Sequence, residues 1–410
     1  MTSAPHLHTR NLHSRNLRAG NLQAGVLAAG FLTFINLYPT QALLPTLAHA
    51  FGATLSHTGL TVTATLVAVA LVAPFVGGLA DAYGRRRLIV GASAALVVPT
   101  LLGAAAPSLD LLILCRFAQG LLLPFIFALT VAYIAEEHPG PDAIRVTATY
   151  AIGTIAGGFA GRFVAGWATD LLGWRAAFVI LAGLTAACAA IVAGALPAER
   201  RFQPVRGWRG QLAGFADQLR NPQVLATCGM GFAVLFSMVA TFTYASFYLA
   251  GPPFGLGPAQ LGSVFIVYLL GAVVTPVATR LALRFGRRRT VLLAAGVGAA
   301  GLLLTLVSSL AAIVAGLGLA AAGIFTEQVL SLGYVAAAAR RSRSTAVGLY
   351  VTCYYVGGSL GGILPAWVWQ HAGWPGCIAL VLVVQLAGTV LIQRVWPGHA
   401  PLPSGPPPQP

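Results

Sequence analysis

Three ionisable side chains, Arg116, Arg162 and Glu327, fall well inside long apolar runs of a chain that is only 8% charged, and a fourth, Asp81, closes such a run. Burying a charge without a partner is costly, so each is a candidate for function. Glu327, in Gly323-Ile-Phe-Thr-Glu-Gln-Val, is the only acid expected deep in the membrane. Burial favours a neutral carboxyl unless a cation neutralises it, which suits a proton carrier, with a static ion pair as the rival role. Arg162, in Gly157-Gly-Phe-Ala-Gly-Arg-Phe-Val-Ala-Gly166, lies on a small-residue face that allows tight helix packing. It can attract an anionic substrate group, pair with Glu327, or simply structure the bundle. Arg116 opens Arg-Phe-Ala-Gln119-Gly120; its permanent charge and five donors suit a functional role or a clamp on carbonyl groups equally. Asp81 belongs at the end of a span, where the following Arg85, Arg86 and Arg87 stay in water, and Gly77, Gly78 and Gly84 allow close backbone approach.

The elements that must position these residues are membrane helices. With 57% hydrophobic residues and a mean hydropathy of +0.81 over 410 residues, the chain has no counterpart among soluble domains of ordinary composition. Runs of spanning length occur near 24–48, 56–79, 88–106, 109–135, 146–168 and 175–196, and again near 223–250, 258–280, 290–308, 311–338, 345–369 and 375–396. The first run is too long for a cleavable signal and is expected to be a permanent helix. Residues 1–23 are expected to be a disordered tail, 24–196 a first six-helix bundle, 197–222 a polar linker, 223–396 a second bundle and 397–410 a disordered Pro-rich tail. A surface helix is expected around Trp208 to Leu219. All 24 basic residues are arginine; with the N-terminus inside, 21 of them fall on the cytoplasmic side and Arg175 alone on the other. The positive-inside rule therefore places both termini in the cytoplasm of a multi-pass inner-membrane protein.

Several chemistries are excluded. The net charge of +15 falls between apolar runs rather than on a soluble face, so nucleic acid is not the expected partner; the bilayer is. Cys115, Cys188, Cys228, Cys353 and Cys377 all lie in apolar runs and make no C-x-x-C pair, and the histidines show no metal-ligand spacing, so neither metal nor cofactor is expected. There is no nucleophilic triad and no phosphate-binding Gly-Lys-Ser/Thr loop, which argues against an enzyme and against ATP-driven pumping. Asn36, Tyr38, Gln41, Phe127, Tyr244, Tyr248, Tyr354 and Tyr355 mix aromatic and polar groups in the way an amphipathic ligand requires. Of these, Asn36, Gln41, Tyr244 and Tyr354, with Arg162, are taken as the candidate substrate cavity.

Gly77-Gly-Leu-Ala-Asp81-Ala-Tyr-Gly84-Arg85-Arg86 resembles the signature loop between helices two and three of the major facilitator superfamily, with Ala82 where a basic residue is usual. The resemblance implies that Gly77, Asp81, Gly84, Arg85 and Arg86 form a gating motif that latches helices in one conformation. Arg116-Phe-Ala-Gln119-Gly120 is similar to a motif of that superfamily's proton-coupled exporters, which implies that Arg116 and Gln119 act beside a protonation site. The fifth span lacks the Gly-Pro of the exporter motif, and the first span has Asn36 and Gln41 where many drug exporters carry an acid. The two halves repeat: Pro74 and Gly84-Arg85-Arg86-Arg87 return as Pro276 and Gly286-Arg287-Arg288-Arg289, and Tyr150, Gly157-Gly158, Gly161 and Gly173-Trp174 return as Tyr350, Gly357-Gly358, Gly361 and Gly373-Trp374. The resemblance therefore implies an all-α membrane protein of the major facilitator fold, with twelve transmembrane helices in two pseudo-repeated halves and a substrate site between them. It implies a monomeric secondary transporter of the drug and solute exporter branch, similar to arabinose-efflux permeases, expelling a small organic compound in exchange for protons. The alternative is a proton symporter or facilitator that imports a sugar or organic anion.

Overall fold

In lipid an apolar run can satisfy its backbone only within itself, so the runs become helices. The computed structural model describes residues 5–137, 141–199, 217–339 and 343–397. It is helical throughout: α1 Pro5–Leu37, α2 Leu44–Phe51, α3 Leu55–Tyr83, α4 Arg85–Ala95, α5 Val97–Ala104, α6 Leu109–Glu137, α7 Pro141–Leu172, α8 Trp174–Ala195, α9 Pro222–Ala250, α10 Pro258–Val264, α11 Leu270–Phe285, α12 Arg287–Leu304, α13 Leu310–Ala338 and α14 Arg343–Val395. The long α14 bends at Gly373 (φ 58, ψ −151) into two arms, each of spanning length. Pairing α4 with α5 and α10 with α11 as single spans restores twelve crossings, six in each half of the chain.

Two expectations change. The segment 1–23, read as a disordered tail, is helical from Pro5 as the start of α1. Proline costs nothing at the first helical position, where its missing N–H would have no partner anyway, and no second proline interrupts the remainder of the helix. The first span is not one helix over 24–48. It stops at Leu37, passes through Tyr38 (φ −129, ψ 21) into a 3₁₀ turn at Pro39–Ala42, and resumes as α2. Pro39 cannot donate to the preceding turn and pushes Tyr38 out of helical conformation. The expected linker lies mostly outside the described residues at 200–216, as do most of its surface helix and residues 398–410. On the far side of the linker Asn221 caps α9, its side chain accepting from the N–H of Gln223 (3.1 Å) and Val224 (3.4 Å).

The described residues form two compact units, one within Met1–Phe51, Phe75–Gly207 and Gly257–Ser263, the other within Gly52–Pro74, Trp208–Leu256 and Val264–Pro410. The division departs from the expected bundle limits, because residues 52–74 pack with the second unit and 257–263 with the first. Small residues permit both: a Cβ on Gly362 would strike the Thr63 side chain inside the second unit, and one on Gly262 would stand 2.7 Å from the Arg162 carbonyl oxygen inside the first.

Each unit is built on the same helix pair. In the first, α7 lies on α1 so closely that a Cβ on Gly161 would come within 2.5 Å of the Ile35 carbonyl oxygen, and Gly157 meets Phe31 in the same way. In the second, the first arm of α14 lies on α9 so closely that a Cβ on Gly361 would come within 2.5 Å of the Phe236 carbonyl oxygen, and one on Gly357 would meet Phe232 in the same way. The glycines that the repeat singles out also set the turns. Gly84 (φ 87) joins α3 to α4 and Gly286 (φ 85) joins α11 to α12, both in the left-handed region that glycine alone enters freely. The tryptophans after the other repeated glycines pack alike: Trp174 against Phe51 (ring centroids 5.3 Å) and Trp374 stacked on Tyr248 (5.2 Å).

Candidate functional site

The α3–α4 turn carries the first cluster. Gly84 turns the chain so that Arg85 begins α4 with its guanidinium aimed back over α3. Arg85 Nη2 donates to Asp81 Oδ1 (3.2 Å) and to Glu136 Oε1 of α6 (2.6 Å), while the Arg85 backbone N–H, with no partner inside its own helix, donates to Glu199 Oε1 (2.7 Å). A carboxylate there also answers the positive end of the α4 dipole. Arg86 fastens the other side, its Nε and Nη2 donating to the carbonyls of Leu196 (2.7 Å) and Ala193 (3.0 Å) at the end of α8. Asp81, Gly84, Arg85 and Arg86 are therefore brought together at this turn. Gly77 is not part of the contact: a Cβ there would meet nothing within 4 Å. Nothing in the motif itself assigns Glu136 or the linker acid Glu199 to this cluster, although only nine acids occur in the chain and Glu136 ends an apolar run much as Asp81 does.

The matching turn of the second unit has the same clamp without the acids. Arg288 Nη2 donates to the Gln393 carbonyl, and Gln393 Nε2 returns a bond to the Arg288 carbonyl (2.7 Å). Arg287, the counterpart of Arg85, instead lies over the ring of Tyr334 at 5.3 Å. One scaffold thus carries an ion-pair cluster in one unit and an aromatic contact in the other.

The second cluster lies inside the first unit, around the break in the first span. Ending α1 at Leu37 strips the last carbonyls of their helical partners. Arg116, wholly buried on α6, takes them: Nη1 donates to the Asn36 carbonyl (2.7 Å) and Nη2 to that of Leu37 (2.7 Å), a cation placed at the negative end of a helix. Gln119, one turn on, accepts from Arg116 Nη1 through Oε1 and donates through Nε2 to Thr100 Oγ1 (2.7 Å). Thr100 donates to Asn36 Oδ1 (3.1 Å), and Asn36 Nδ2 donates to Thr185 Oγ1 (2.9 Å), so α1, α5, α6 and α8 close on one amide. Arg162, 1% exposed on α7, holds the 3₁₀ turn: Nε donates to Gln41 Oε1 (2.7 Å), Nη1 to the Gly158 carbonyl (2.5 Å), and its guanidinium lies 4.6 Å from the centre of the Tyr38 ring. Asn36, Gln41, Arg116, Gln119 and Arg162 thus form two linked braces on one broken helix.

The remaining candidates lie in the second unit. Tyr244 is fully buried on α9, donating through its hydroxyl to the Gly362 carbonyl (3.0 Å) with its ring against Phe247 and Trp369. Tyr354 stands in a row on α14, stacked on Tyr350 (6.0 Å) and edge-on to Tyr355 (5.4 Å). Glu327 is buried to 0% exposure on α13, and neither carboxylate oxygen has a hydrogen-bond partner among the described residues. The ion pair left open in the sequence has no support there. Among the described residues no group of histidine, cysteine or acidic side chains could hold a metal ion.

The same arrangement of helices occurs in known transporters. The structure is similar to that of a mutant of the nucleoside transporter NupG (TM-score 0.74, 14% identity, covering 92% of this chain and 100% of that one). It is also similar to a bacterial homologue of the human lysosomal transporter Spinster in an inward-facing, unoccupied conformation (TM-score 0.70, 15% identity, 92% and 95% covered). In sequence the chain is 32% identical over 369 residues to the inner membrane transport protein YnfM of Escherichia coli, covering 88% of each. It is 28% identical over 357 residues to the MFS-type transporter YybF of Bacillus subtilis, covering 87% of this chain and 88% of that one. The model of the Major Facilitator Superfamily matches residues 26–252 and 230–410. The chain is a multi-pass membrane transporter, not an enzyme, and it belongs to the Major Facilitator Superfamily.

Proposed function

We propose that this transporter exports a small organic compound in exchange for protons, by alternating access, from the inner membrane with both termini in the cytoplasm and as a monomer. The observation that carries the proposal is Glu327: an acid buried to 0% exposure, with no hydrogen-bond partner for either oxygen among the described residues, is costly as an anion and can shed that cost by taking a proton. Moving one charge through the membrane potential is worth about 2.3 kcal/mol per 100 mV, enough to bias an equilibrium between two conformations.

In this reading Asp81 and Arg85, with Glu136 and Glu199, form the gate of the α3–α4 turn. Their side chains are partly exposed, so each pair contributes under about 1 kcal/mol and can break and re-form as the protein turns over. The proposed solute-binding residues are Asn36, Gln41 and Arg162 in the first unit and Tyr244 and Tyr354 in the second, with Arg116 and Gln119 fixing the backbone that carries Asn36 and Gln41. A second reading, import of a sugar or organic anion by symport or facilitation, is favoured by the Gln41–Arg162 contact, a neutral acceptor and a cation side by side.

Solute flux in proteoliposomes under an imposed pH gradient distinguishes them. Exchange moves the solute against the direction of proton flow; movement with the protons supports symport, and flux indifferent to the gradient supports facilitation. Either of the last two outcomes overturns the exporter proposal.

A further inference from the structure

Among the buried polar side chains that the gate and the braces leave unused, three fall beside α12 in the second unit: Glu327, Gln385 and Thr389. A Cβ on Gly323 of α13 would stand 2.6 Å from the Ala294 carbonyl oxygen and 2.8 Å from the Gly298 Cα, both on α12. A Cβ on Gly316, two turns earlier on α13, would stand 2.6 Å from the Gly301 carbonyl oxygen of α12. At 3.6 residues per turn, Glu327 falls on the stripe that these two glycines define, so it faces α12, and its side chain leans back over Gly323.

From the second arm of α14, Gln385 reaches the same place. A Cβ on Gly298 would lie 3.6 Å from Gln385 Nε2 and 3.8 Å from its Oε1. Thr389 follows one turn later, on the way to the Gln393–Arg288 clamp, and so stands level with the turn of α12 that holds Ala294, as Glu327 does. Gln385 is 3% exposed and Thr389 4% exposed. Glu327 Oε1 and Oε2, Gln385 Nε2 and Oε1 and Thr389 Oγ1 have no hydrogen-bond partner among the described residues, and Ser331 Oγ, one turn beyond Glu327, is in the same state.

A proton on Glu327 removes one charge and adds one donor, which leaves most of these atoms unsatisfied. A small hard cation accepts a carboxylate, an amide oxygen and a hydroxyl together and cancels the buried charge as well. We propose that Glu327, Gln385 and Thr389 bind a sodium ion inside the second unit. Sodium and a proton then compete for the one carboxylate. The site is independent of which solute moves and in which direction, because it is read by binding rather than by transport.

The test uses the purified full-length chain in nanodiscs, in alkaline buffer, with sodium exchanged for choline or potassium at constant ionic strength. The expected result is a saturable rise in thermal midpoint with sodium only, binding of radioactive sodium that weakens on acidification, and a loss of affinity of about tenfold or more in Gln385→Ala and in Thr389→Val. A midpoint that follows pH but is the same in sodium and choline overturns the proposal and leaves Glu327 as a proton site alone. Should either variant fail to fold, wild type decides: saturable sodium binding that acid does not weaken removes Glu327 from the site. Proton movement driven by solute in vesicles is a separate readout, so failure of the exchange reading and failure of the sodium site are not confused.

Discussion

At the scale of single residues, the two buried arginines brace the break in the first span, Arg116 through main-chain carbonyls and Arg162 through Gln41 and Tyr38. Arg116 spans the two carbonyls that α1 leaves open, and only a planar fork reaches both. Arg116→Lys keeps the charge but gives up one of those bonds, and should lower stability by about 1–3 kcal/mol, read as a drop in thermal midpoint of the detergent-solubilised protein. An unchanged midpoint would mean that the carbonyls find other donors. Asp81 is the opposite case. Its bond to Arg85 is partly exposed, so Asp81→Asn should change stability by less than about 1 kcal/mol, while altering the labelling of cysteines introduced at the two faces of the membrane. Unchanged labelling would count against the gate.

At the scale of elements, glycines decide how closely helices lie. Gly161→Ala and Gly361→Ala each force a methyl onto a main-chain oxygen of the facing helix and should each cost about 1–3 kcal/mol, whereas Gly77→Ala, which meets open space, should stay within about 0.5 kcal/mol. Comparative unfolding of the three variants checks this. The twelve spans and the repeat were legible in the sequence, because hydropathy over membrane length and glycine at a turn are local signals, as at Gly84 and Gly286. The break in the first span was not read, although Pro39 marks it, because the apolar run continues through it on both sides. That Arg116 can clamp carbonyl groups is legible from its residue type, but which carbonyls it takes is not, because Asn36 and Leu37 lie some eighty residues away and offer only main-chain oxygens. The acids Glu136 and Glu199 join Arg85 across 51 and 114 residues, a separation that spacing within one motif does not reveal.

At the scale of the molecule, two units with a common scaffold carry different chemistry. The first holds the ion-pair cluster at Arg85 and the arginine braces on α1; the second holds Arg287 over Tyr334 and Glu327, whose carboxylate has no hydrogen-bond partner among the described residues. Duplicated helices provide the frame, and the charged groups set on it differ between the copies. In the proposed exchange Glu327 is the group that links protons to the solute. The most direct measurement is proton movement across energised inverted vesicles challenged with a panel of organic solutes, wild type beside Glu327→Gln. The expected result is a solute that dissipates the gradient in wild type and not in the variant. Solute movement that is equal in both, with no proton movement in either, would contradict it.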